Sequence, residues 1–359
     1  MRAIVRRAGK LELNENWPEP APGPGQTLVK TLACGVCGSD LHALDHLERM
    51  SEFSRRCGSA SGLDASQGVV FGHEFCGEII AHGPGSTSTL APGTRVVAMP
   101  FAAGPSGMEL VGFSNRFSGG FAERMVLTEA LLLPVPDDLP SSIAAMTEPF
   151  AVGEHAVAMA KAPQDAVTLV LGCGPIGLAV IASAKARGLH PVIASDFSPM
   201  RRAAAAKMGA DIVIDPAVEN PYGRWSEFDV PANLAERGAA MATGRATRPA
   251  MIFECVGAPG MLQAVIEGAP PSARIVVVGA CMEADRIEPL MAINKQLSME
   301  FVFAYTADEF ALTLKRLASG EINGAAALTM EAALADTPQA FELARQADQH
   351  VKIVIDPQR

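Results

Sequence analysis

The sequence predicts an α/β protein of two domains, a β-rich unit followed by a doubly wound parallel sheet, and three observations carry that prediction. The chain has 359 residues, which suits two domains at ~150 residues each. Over 1–150, short apolar runs alternate with turn signals; from Asp165 onward, apolar runs alternate with helix-like stretches instead. A glycine-rich turn, Gly172-Cys173-Gly174-Pro175-Ile176-Gly177, joins the first of those later runs to a helix.

In the first part, the apolar runs 27–32, 68–71, 77–81, 95–99 and 122–127 are separated by turn formers such as Pro22-Gly23-Pro24-Gly25, Gly83-Pro84-Gly85 and Pro92-Gly93. This reads as an antiparallel, barrel-like domain. Residues 43–67 and 100–120 lack periodicity and are rich in Gly and Ser, so long surface loops are expected there. In the second part, 166–171 is a continuous apolar run suited to a strand buried on both faces. A helix should run from the turn to Arg187 and stop at Gly188. Strands are expected at 190–195, 212–214, 251–256 and 274–278, with helices at 198–208 and 259–267. Strand–helix alternation implies parallel βαβ units. The tail holds strand 297–305, helices 308–319 and 339–346, and strand 351–355.

Composition excludes several classes. Hydrophobic residues make up 49% and charged ones 19%, which rules out global disorder. With 29 basic against 39 acidic residues, net charge −10, bulk binding to nucleic acid or an anionic membrane is not expected. Residues 166–184 carry no charge, as a membrane span would. Gly172, Gly174, Pro175 and Gly177 interrupt them, however, and a buried strand, turn and helix is expected. The seven Cys, odd in number and scattered, argue against a disulfide framework and for a reducing, cytoplasmic setting. The basic start lacks an apolar h-region, so no secretory leader is expected.

The turn is a G-x-G-x-x-G, weak alone but strengthened by its context. It follows a strand, opens a helix, and Asp196 lies 19 residues beyond Gly177 at the end of the next strand. Gly172 would permit the tight bend. Gly174 would let the backbone, continuing through Pro175 and Ile176 into the helix, approach a pyrophosphate. Gly177 would let helix and strand pack closely. The helix N-terminus offers free N–H groups to an anion. Asp196 would accept the adenosine ribose hydroxyls and repel a 2′-phosphate, favouring NAD over NADP. Arg201 and Arg202 nearby keep NADP open, and a purely structural turn is the plainer alternative.

A second constellation is Cys34-Gly-Val-Cys37-Gly-Ser39-Asp40-Leu-His42 with Gly72-His73-Glu74. The C-x-x-C alone could be a redox pair. Together with His73 and Glu74 it reads better as an open zinc site, in which thiolate, imidazole and carboxylate fix the metal and leave a position for substrate. Cys37 and His73 are 36 residues apart, so only the fold can unite them. Cys34 reads as a small buried hydrophobe. His46, His82, His155, His190 and His350 match no motif and read as structural.

These motifs, with Gly77, Gly83 and Ser86 after Gly72-His-Glu, then Gly119-Gly-Phe-Ala-Glu123 and Glu148-Pro149, occur in a family's order. The chain resembles the zinc-dependent medium-chain alcohol and polyol dehydrogenases over nearly its full length. The resemblance implies a GroES-like catalytic domain over 1–150, with 295–359 returning to it, and a Rossmann-type cofactor domain over 151–294. It implies Cys37 and His73 as zinc ligands, Glu74 as a ligand or exchangeable one, and Glu148 binding zinc directly or through water. The blander role for Glu148 is a carboxylate capping the helix near Pro149. Ser39 would take the alcohol proton and His42 pass it on. Many relatives hold a structural zinc in a four-Cys lobe near 97–120, but this chain has no Cys between Cys76 and Cys173, so one zinc per chain is expected. The segment from His42 to Gly72, with Gly58 to Gly62 its Gly/Ser-rich part, is longer than the resemblance leads one to expect and would shape substrate entry, so the family's substrates do not carry over with it. A homodimer or homotetramer acting on a small alcohol or carbonyl compound is implied by resemblance alone. The rivals are a zinc-free quinone or enone reductase of the same superfamily and a non-catalytic nucleotide sensor.

Overall fold

The structure, a computed structural model, describes residues 1–58, 63–104 and 107–359. Its parallel sheet has six strands in the order Ile212–Ile214, Val192–Ser195, Val167–Leu171, Ala250–Glu254, Arg274–Val277, Ser298–Phe301, and every neighbouring pair is parallel. The strands bury both faces, as their unbroken apolar runs require. Val170, Phe253 and Val276 pack to one side with Leu178 and Ile181 of helix Pro175–Ala186. Leu169, Ile193, Ile252 and Ile275 pack to the other with Trp225 and Val265. The alternation follows the two-residue side-chain period of a strand.

The second sheet runs Leu328–Ala333, Lys352–Asp356, Gln26–Gly35, Glu74–His82, Arg95–Ala98, Leu132–Pro134, with Arg124–Thr128 also paired to Gln26–Gly35. It is antiparallel except for the pairing of Leu328–Ala333 with Lys352–Asp356. The tail of the chain therefore completes the sheet begun by the first third.

Four sequence expectations need correction. The loop expected over 43–67 is largely a helix, Gly38–Arg56, kinked at His46. Ala43, Leu44, Leu47 and Ser51 are buried, the spacing of one helix face; the Gly and Ser that suggest a loop cluster at 57–62, of which 59–62 fall outside the described residues. The loop expected over 100–120 contains a hairpin, Phe101–Gly104 with Gly107–Leu110. The run 68–71 forms only an isolated bridge, Arg6 to Val69. The return expected at 295 comes one strand later: Ser298–Phe301 is the outer strand of the parallel sheet, and the chain rejoins the other sheet with Leu328–Ala333. An apolar run looks the same whichever sheet it joins.

Helix Thr147–Ala160 crosses the expected boundary at 150 and links the two sheets. Its Glu154 is buried and accepts hydrogen bonds from Arg187 and Arg316, on two other segments. Removing one partner of a buried charge cluster leaves the others uncompensated. Glu154→Ala is therefore expected to destabilise the protein by about 3 kcal/mol, seen as a lowered thermal midpoint with metal content unchanged.

Candidate active site

Strand register assembles the site. Gly35 pairs with Glu74 and Cys34 with Phe75. On the other side of the same strand, Val354 pairs with Gly35. Cys37, two residues past Gly35, thus arrives beside His73 and Glu74, and Lys352 enters from the opposite neighbour. Ligand atoms of Cys37, His73 and Glu74 lie within 4.8 Å of one another, the one such group among the described residues. His73 and Glu74 are buried and Cys37 is half-buried.

Asp40, fully buried, organises this trio. Its Oδ2 accepts from the Cys37 backbone N–H at 3.0 Å, as an acid in the first turn of a helix readily does. Its Oδ1 lies 3.4 Å from His73 Nδ1. That leaves His73 Nε2 toward the site, 3.3 Å from Ser39 Oγ. A carboxylate behind an imidazole fixes its tautomer and raises its basicity as a ligand.

Lys352 is buried, donates to the Val36 carbonyl at 2.9 Å, and pairs with Glu74 Oε2. Burial opposes its charge, but Glu74 and Cys37 outweigh that and raise its pKa. Glycine at residue 35 leaves room for this pair, because a Cβ would overlap Glu74 Oε2 and press on Lys352 Cε. Glu148, in the first turn of helix Thr147–Ala160, stands next to the trio rather than in it. Its Oε1 accepts from Tyr305 Oη at 2.8 Å. Burial pushes its carboxyl up to about 7, with Glu74 adding and His73, Tyr305 and Lys352 opposing.

A divalent cation fits these residues. Glu74 Oε1 is buried without a hydrogen-bond partner. Glu74, Glu148 and the Cys37 thiol all act on a single lysine, Lys352, and the sulfur, nitrogen and oxygen donor set is the one zinc takes. Cys34 lies buried outside the trio. His42 sits one turn beyond Ser39, half-buried. Burial, with His46 and Arg345 nearby, holds its pKa below the ordinary 6.5 against the opposing pull of Asp45.

The glycine turn lies between strand Val167–Leu171 and helix Pro175–Ala186. Gly172 has φ +84°, and a Cβ on Gly177 would collide with the Gly172 carbonyl oxygen. Pro175 opens the helix and Ile176 is partly exposed beside it. Asp196 accepts from the Cys173 N–H at 2.7 Å and the Ser198 N–H at 2.8 Å, so it braces the turn against the second strand. The Arg201 guanidinium lies 3.7 Å from where a Gly174 Cβ would be. Arg202 is engaged by Asp215 at 2.9 Å and by the carbonyls of Asp196 and Phe197.

Sequence reasoning assigned no role to Asp40, Lys352 or Tyr305. Asp40 was visible as an acid three residues after Cys37 at a helix start. Lys352 was visible as a lone charge in an apolar run. Nothing in the sequence marked Tyr305. Two outcomes are expected of the metal site. Cys37→Ala should abolish stoichiometric zinc binding, read by elemental analysis. Asp40→Asn should weaken zinc retention against a chelator by about 10–100-fold.

Two family models match the chain: an alcohol dehydrogenase GroES-like domain over 23–137 and a zinc-binding dehydrogenase over 175–319. The (R,R)-butanediol dehydrogenase of Neisseria gonorrhoeae is 30% identical, covering 96% of each chain. The sorbitol dehydrogenase of Bos taurus is 27% identical over 96% of this chain and 92% of its own. The crystal structure of 2R,3R-butanediol dehydrogenase from Bacillus subtilis superposes with TM-score 0.79 at 28% identity, covering 99% of both chains. Among the described residues, no helix is long and apolar enough to cross a membrane.

Proposed function

The chain belongs to the zinc-dependent medium-chain alcohol and polyol dehydrogenases, and from that premise we propose that it oxidises a small diol or polyol, reversibly, with one zinc and NAD. Alcohol or polyol oxidoreduction is the family's activity and is that of this enzyme. The observation that carries the finer reading is the Cys37–His73–Glu74 trio with Ser39 at its edge. The diol or polyol is suggested by the relatives, which act on butanediol and sorbitol by name.

Bound between Cys37, His73 and Glu74, zinc would supply the positive charge that lowers a substrate hydroxyl's pKa, and NAD would supply the hydride acceptor. The protein's own residues do the rest. Ser39 Oγ accepts the hydroxyl proton and His42 draws it onward, since a neutral imidazole is a proton acceptor near pH 7. Asp40 holds His73 in place, and Lys352 balances the buried carboxylates. The N–H groups after Gly174 receive the pyrophosphate. Asp196 accepts the ribose hydroxyls. Arg202 is already engaged by Asp215, which withdraws one cation from a 2′-phosphate and supports NAD, while Arg201 stays beside the turn. Glu148 stands as a direct or water-mediated neighbour of the metal. The single zinc is read from the sequence, which has no Cys between Cys76 and Cys173 to form a four-Cys lobe.

We also assign a homodimer, or a homotetramer built from two such dimers, to the outer edge of strand Ser298–Phe301. Phe301 and Phe303 there are 68% and 89% exposed, and an open apolar strand edge invites pairing. Seven unpaired cysteines suit a reducing cytoplasm.

The decisive experiment follows reduced nicotinamide by absorbance while a panel of diols, polyols and simple alcohols is offered with each cofactor. NAD-dependent turnover that disappears on chelation and returns with zinc is expected; turnover indifferent to chelation would instead favour the zinc-free reductase, and tight NAD binding without turnover the sensor. Asp196→Ala should shift the kcat/KM ratio toward NADP by about tenfold or more, as a lost 2′-phosphate repulsion predicts. The depressed pKa of His42 has a definite sign: the imidazole is neutral above that value. Wild-type oxidation should therefore fall only on the acid side of 6.5. His42→Ala should be slow at neutral pH and partly rescued by a high concentration of small basic buffer.

A further inference from the structure

Tyr305 lies outside every motif and in the segment that follows the parallel sheet, yet its hydroxyl reaches the metal site. It donates to Glu148 Oε1 at 2.8 Å, and Glu74 and Cys37 are close enough to act on it electrostatically. The ring is buried and stacked on Phe310, centroids 5.5 Å apart.

The approach of Tyr305 is built into the chain. Ala304 takes a left-handed conformation at φ +58°, which costs a residue with a Cβ about 1 kcal/mol and turns the chain just before Tyr305. Thr306 then caps helix Ala307–Ala318, with its backbone N–H donating to Glu309 Oε2 at 2.7 Å. His155 Nδ1 meets the same Glu309 oxygen at 2.9 Å. His155 and Glu148 lie on one helix, two turns apart. The contacts close a ring: Glu148 to Tyr305, along the chain to Thr306, across to Glu309, and back through His155 to the helix of Glu148. A tyrosine that merely filled space would need neither the strained residue before it nor the second tie.

We propose that Tyr305 is a positioning residue for Glu148: its hydroxyl occupies one carboxylate oxygen and holds Glu148 beside the Cys37–His73–Glu74 trio instead of letting it become a further protein ligand to the metal. The inference rests on the zinc reading above. A buried carboxylate accepts a hydrogen bond from a donor or turns to a cation. With the Tyr305 proton in place, the cation would keep a position for substrate; without it, Glu148 would be free to turn to the metal.

The test uses the cobalt-substituted holoenzyme, whose visible bands weaken when coordination rises from four to five. Tyr305→Phe is expected to weaken those bands, to slow metal release to a chelator by about tenfold as one more carboxylate binds, and to lower turnover. Adding Glu148→Gln to that variant should restore the wild-type spectrum and release rate. Unchanged spectrum and release in Tyr305→Phe overturn the proposal, whatever happens to thermal stability or activity. If Tyr305→Phe does not fold, Glu148→Gln alone decides. A wild-type spectrum is expected because Glu148 is held off the ion, and an altered one makes Glu148 a ligand and overturns the proposal. A wild-type protein that takes up no cobalt or zinc overturns the metal centre and this inference together, whereas uptake with unchanged variants overturns this inference alone.

Discussion

The antiparallel pairing of Gly35 with Glu74 is the contact on which the candidate metal site depends. A strand pair has a single register in which apolar faces agree, and a slip of one residue would turn every side chain over. That register places Cys37 beside His73 and Glu74. The partner strand Lys352–Asp356 adds Lys352 from the other side. Because Gly35 has no side chain, the interior at this pairing can hold an ion pair where a methyl group would otherwise stand.

The same site concentrates charge in the protein interior. Asp40, Glu74 and Glu148 are all buried near it, and buried carboxylates are costly unless each finds a partner. Asp40 is served by a backbone N–H and by His73, Glu74 by Lys352, and Glu148 by Tyr305. The remaining oxygen of Glu74 has no protein donor, which is the condition a divalent cation relieves. The preorganised donors around it explain how a loop end and a strand start can present three ligand atoms so closely.

Much of the architecture was legible. The glycine turn, the strands on either side of it and Asp196 follow from local sequence, because a strand–turn–helix with φ > 0 at its first glycine is encoded in neighbours. The length of helix Gly38–Arg56 was not, since six Gly- and Ser-rich residues after it obscured the Ala43, Leu44, Leu47 and Ser51 stripe. Nor was the sheet to which Ser298–Phe301 belongs, because strand partnership is a non-local choice that an apolar run does not record.

By itself, the sequence marked the candidate side chains, Cys37, Ser39, His42, His73, Glu74 and the glycines of the turn, each set within a short motif whose spacing has a local meaning. Only the tertiary structure decided that Cys37 and His73 meet, that Lys352 faces Glu74, and that Tyr305 holds Glu148. These contacts span tens to hundreds of residues, and they come from strand register and buried-charge pairing, which no stretch of chain expresses alone.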